Sequence, residues 1–125
     1  MRIIIAALLL FAMPCLAWDT IRLDVPAGAK EAVWRDALAK RWHGKTETII
    51  EGGRIDVETA LYVVEIDFAH KWTECFGQAL FYADSTGKQG IAALIVEDPD
   101  TIRKKLYLIE QELNRYDIQL IVLTN

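Results

Sequence analysis

The chain has 125 residues, 53% hydrophobic and 26% charged, enough to fill one core but not two full domains. With 7 Gly, 3 Pro and no repeated tract it is neither collagen-like nor a disordered linker. Its net charge of −4 argues against non-specific coating of DNA, which needs an excess of Lys and Arg at the contact face. Residues 1–17 carry Arg2 after Met1, run apolar from Ile3 to Met13 and end Pro14-Cys15-Leu16-Ala17. This is the pattern of a secretory signal cleaved after Ala17, and it predicts a periplasmic or secreted protein with residues 18–125 as its one domain. The apolar stretch is shorter than the roughly 20 residues needed to span a bilayer, so no stable membrane insertion is expected after cleavage. Cleavage would leave Cys75 as the only thiol, and two cysteines without Cys-x-x-Cys spacing exclude a disulfide scaffold and a structural zinc site.

Residues 18–25 alternate Ile21, Leu23 and Val25 with Arg22 and Asp24, a strand-like lead-in that stops at Pro26-Ala27-Gly28. Residues 29–43 contain no Gly or Pro and place Trp34, Ala37, Leu38 and Trp42 near one helical face, with Gly44 as the stop. Residues 45–51 and 54–57 flank Gly52-Gly53 and read as a hairpin, followed by a third strand at 60–68. A helix is expected from Lys71 to Ala83, with Trp72, Cys75, Phe76, Ala79, Leu80 and Ala83 as its core stripe. Residues 91–96 suit a strand buried on both faces, Pro99 opens a helix over 100–115, and residues 118–123 form the last strand. The order α-β-β-β-α-β-α-β calls for a mixed sheet flanked by helices, because adjacent strands pair antiparallel while helix-separated ones need parallel crossovers.

In the third strand the two-residue period puts Val63, Glu65 and Asp67 on one face and Tyr62, Val64, Ile66 and Phe68 on the other. Arg54 and Asp56 share a face of the preceding strand, so Asp56 can sit beside Glu65. Neighbouring carboxylates among apolar residues need a cation or a proton, and a divalent metal is one answer. On the following helix Lys71, Gln78 and Tyr82 lie within about 40° of one another, a polar row beside the apolar stripe. Each residue also has a plainer reading: Asp56 as a turn residue, Glu65 and Asp67 on a solvated sheet face, and Lys71, Gln78 and Tyr82 as a helix flank. Cys75 reads as core and His43 as a helix end, while Glu31 and Glu51 are open between further ligands and surface charges.

Asp56, then Glu65-Ile66-Asp67, then Gln78-Ala79-Leu80-Phe81-Tyr82 resembles the PD-(D/E)xK nuclease superfamily, and Gln-x-x-x-Tyr is similar to its RecB-like exonuclease branch. The stretch from Arg54 through Trp72 to Ala83 also looks like small bacterial proteins of that fold. The resemblance implies a restriction-endonuclease-like α/β fold. It implies a Mg²⁺ (or Mn²⁺) ion held by Asp56 and Glu65 with the Ile66 carbonyl, and Gln78 and Tyr82 as supports that approach nucleic acid, DNA in preference to RNA. The family lysine position is Asp67 here, and Lys71 is the available substitute. Two functions follow. One is an exported Mg²⁺-dependent nuclease with Asp56, Glu65 and Lys71 as its catalytic residues. The other is a catalytically inactive binding module of the same fold, acting on a protein or nucleic acid partner. A homodimer or protein partner fits so small a domain.

Overall fold

In a computed structural model, residues 18–125 are described; the signal segment read at residues 1–17 lies outside them. Strand β1 (Asp19–Arg22) precedes helix α1 (Glu31–Trp42). The hairpin β2 (Lys45–Ile50) and β3 (Gly53–Glu58) leads into β4 (Tyr62–Phe68). Helix α2 (Trp72–Thr86) follows, then β5 (Gln89–Ile95), α3 (Arg103–Asn114) and β6 (Gln119–Thr124). The six strands form one sheet in the order β1-β6-β5-β4-β3-β2, parallel from β1 to β4 and antiparallel from β4 to β2. This is the mixed, helix-flanked sheet expected from the element order, with the lead-in strand added beside β6.

Alternation along the strands divides the core in two. Val64, Ile66, Ile91, Ala93, Ile95, Ile121 and Leu123 face α1 and pack around Trp34 and Leu38. Ala92, Leu94, Val96, Leu120 and Val122 face the other way, against Cys75 and Ala79 of α2 and Leu106, Ile109 and Leu113 of α3. Both faces of β5 and β6 are therefore covered, which is why these strands read as continuous apolar runs. Cys75 takes the core position its spacing predicts.

The helix ends are set by backbone needs. The left-handed residue closing α1 is His43, with φ 53°, whereas the sequence suggests Gly44 for that role. Gly44 is needed for space instead, since a Cβ there would lie 2.9 Å from Val57 Cγ1. Helix α2 stops in the usual way, with Gly87 at φ 72° donating its N–H to the Ala83 carbonyl at 2.9 Å. The expected helix over 100–115 begins as a 3₁₀ turn, Pro99–Ile102, and becomes α-helical only at Arg103.

A carboxylate site where two strands part

Strands β3 and β4 are paired only at Val57↔Val64 and Glu58↔Val63. Beyond that point β3 rotates. Ile55 packs with Val63 and Tyr82 on the α2 side, while Val57, two residues on, belongs to the α1-side core. A regular strand would put both on one face. The change of face falls at Asp56, and the β2–β3 register also skips the pair Glu47 and Asp56. Glu47 there has φ 53°, in the left-handed region that a residue other than Gly, Asn or Asp adopts only at a cost. The regular two-residue period expected of this strand is broken at this half-turn.

Side chains replace the missing ladder bonds. Asp56 Oδ2 accepts the Ile66 N–H at 2.9 Å, and Glu65 Oε2 accepts the Asp56 N–H at 2.9 Å. The sequence reading that Asp56 lies beside Glu65 is thus met by a reciprocal bridge between the two strands. On the far edge of β4, the Cys75 thiol donates to the Glu65 carbonyl at 3.3 Å.

The electrostatics follow from this crowding. Glu65 is 2% exposed, and burial, followed by the Asp56 charge, pushes its carboxyl up to about 9. Both effects favour the protonated form of Glu65 over its carboxylate. Glu31, in the first turn of α1, is raised to about 7 by burial and then by the charges of Asp67 and Asp56, with Lys71 opposing. Glu31 and Asp67 share a hydrogen bond that favours the proton on Glu31. Asp67 itself is raised by burial, against the Phe68 N–H that donates to its Oδ1 at 3.0 Å. Burial holds the Cys75 thiol well above its ordinary value, which makes it a poor nucleophile.

The structure brings Glu31, Asp56, Glu65 and Asp67 within electrostatic reach of one another, with Lys71 exposed at the edge on the turn Ala69–Lys71. Of the two glutamates left open by the sequence, Glu31 joins the group and Glu51 stays in the exposed hairpin turn. The signal for Glu31 is its spacing: with Trp34, Arg35 and Leu38 it completes an i, i+3, i+4, i+7 stripe on the inner side of α1.

The predicted polar row on α2 divides. Gln78 is exposed, whereas Tyr82 is 6% exposed, and its hydroxyl accepts the Arg54 N–H at 3.0 Å. Tyr82 thereby ties α2 to β3 two residues from Asp56. Gly53 makes the room, because a Cβ there would lie 2.8 Å from Tyr82 Cε1.

Among the described residues no three His, Cys, Asp or Glu side chains are placed to share a metal ion. Each of the two carboxylates expected to bind one accepts a main-chain amide through one of its two oxygens. Comparison with protein-family models, curated proteins and solved structures yields no match.

Proposed function

We propose that the chain is a nucleic-acid-binding module on a restriction-endonuclease-like frame, in which the acidic centre holds the strands together and hydrolysis does not occur. One observation carries this reading: the reciprocal bridge in which Asp56 and Glu65 each accept a main-chain N–H across the strand gap. A hydrolytic centre needs carboxylate oxygens free to organise charge at the reacting phosphate. Here one oxygen of each carboxylate substitutes for a ladder bond, and Asp67 stands where the family pattern has a lysine. The exposed Lys71 and Gln78 leave polar contacts at the rim for a phosphate backbone. A frame alone does not specify an activity, so the assignment rests on the site.

A second reading, Mg²⁺-dependent phosphodiester hydrolysis, draws on the four carboxyl groups that crowd one another beside Lys71. It would use Asp56 Oδ1 and Glu65 Oε1, the oxygens that accept no main-chain amide. The two readings separate in one experiment, in which the purified protein is mixed with fluorescein-labelled single- and double-stranded DNA in Mg²⁺, Mn²⁺ or EDTA. Anisotropy and denaturing gels are read together. The binding reading expects a saturable anisotropy rise that survives EDTA, with the oligonucleotide intact. Metal-dependent cleavage that disappears in Glu65→Gln would establish hydrolysis instead, and absence of both binding and cleavage overturns both.

A further inference from the structure

Two arginines meet one glutamate beside the point where β3 turns. Glu47 Oε1 accepts Arg35 Nη1 at 2.6 Å and lies 3.7 Å from Arg54 Nη1. The two arginines are not equivalent. Arg35 is 18% exposed and is also held by Asp36 Oδ1 at 3.0 Å, so its fork is largely occupied. Arg54 is 62% exposed, and among the described residues its guanidinium makes no hydrogen bond beyond that loose ion pair. Its backbone, by contrast, is fixed through the Tyr82 hydroxyl. Arg54 is thus a planar cation on an anchored strand, tethered on one side and with its donors otherwise free.

The tether has a backbone cost. Glu47 occupies the left-handed region, at the position opposite Asp56 where the β2–β3 register is skipped. The conformation places its carboxylate between two cations drawn from α1 and β3.

The geometry points to Arg54 as a phosphate contact, with Glu47 as the residue that positions it and Arg35 as the cation that anchors Glu47. The ligand is a phosphodiester of a nucleic acid strand, which a guanidinium fork can engage through two parallel hydrogen bonds. This inference rests on the nucleic-acid-binding reading but adds a residue outside the acidic centre, one to which the resemblance gives no role.

The test is oligonucleotide affinity by anisotropy at several salt concentrations for the unaltered protein, Arg54→Ala, Arg54→Lys and Arg103→Ala, the last altering an exposed arginine of α3. Losing one phosphate contact weakens binding roughly fivefold to twentyfold and lowers the slope of log affinity against log salt by about 0.7 for a single strand. Arg54→Lys is expected to keep the slope while recovering only part of the affinity, because an ammonium cannot reproduce the fork. Arg103→Ala should change neither. Equal affinity and slope for Arg54→Ala and the unaltered protein overturn this inference alone; failure of the unaltered protein to bind overturns the underlying reading as well. Urea midpoints of the variants separate lost contact from lost folding.

Discussion

The two edges of β4 are built from the same seven residues and behave differently. Toward β5 the strand is paired at every position from Tyr62↔Gln89 to Phe68↔Ile95; toward β3 it is paired at two. The residues of β5 that face it are Gly, Ala, Ile and Leu apart from Gln89, with nothing to compete for the main chain. On the other side Asp56 and Glu65 present carboxylates able to accept amide protons themselves. Main-chain bonds close one edge and side chains close the other, so the second depends on residue identity and protonation in a way the first does not.

Four substitutions probe that difference. The largest effect belongs to the apolar side: Leu94→Ala, at a fully buried position of β5, is expected to cost ~2–5 kcal/mol in urea unfolding, with no change in pH dependence. At the bridge, Glu65→Ala removes the acceptor of the Asp56 N–H and should cost ~1–3 kcal/mol, whereas Glu65→Gln keeps a carbonyl in its place and should cost less.

The same pair of variants carries the pH test. The Glu65 carboxyl rises from an ordinary 4.5 to about 9 in the fold, so the native state retains a proton that the unfolded chain releases. That contribution is complete below pH 4.5 and is lost as pH rises toward 9. Stability should fall over this window with a slope of up to ~1.4 kcal/mol per pH unit for each proton retained. Glu31, raised to about 7, adds to the slope only in the lower half of the window. Glu65→Gln should flatten the curve, and an unaltered slope in that variant would refute a proton retained on Glu65. The smallest effect is expected from Tyr82→Phe. Losing the hydroxyl that accepts the Arg54 N–H should cost ~0.5–1.5 kcal/mol and speed hydrogen exchange at that amide.

Much of the fold is legible in the chain because periodicity and breakers agree. The alternation in β4 separates Val64 and Ile66 from Val63 and Glu65 as observed, and the stripe through Cys75 and Ala79 faces the sheet. The half-turn at Asp56 is not legible. It depends on a left-handed Glu47, a residue type that carries none of the usual signals for that conformation. Tyr82 misleads for a related reason. Its helical angle groups it with Lys71 and Gln78, but the ring turns inward because the neighbouring strand has a glycine opposite it. The strand order is likewise not contained in the local pattern, which calls for a mixed sheet without choosing β1's place beside β6.

Gly53 does not need its freedom of φ, unlike Gly52 before it at φ 90°; it needs the absence of a side chain, since any Cβ would collide with the Tyr82 ring and hydroxyl. Positions 53 and 82 should therefore vary together among related chains: an alanine at the first is expected only with a smaller residue at the second, and the Arg54 amide must then find another acceptor. A pair that covaries in this way would mark the contact between hairpin and helix in sequences for which no structure exists.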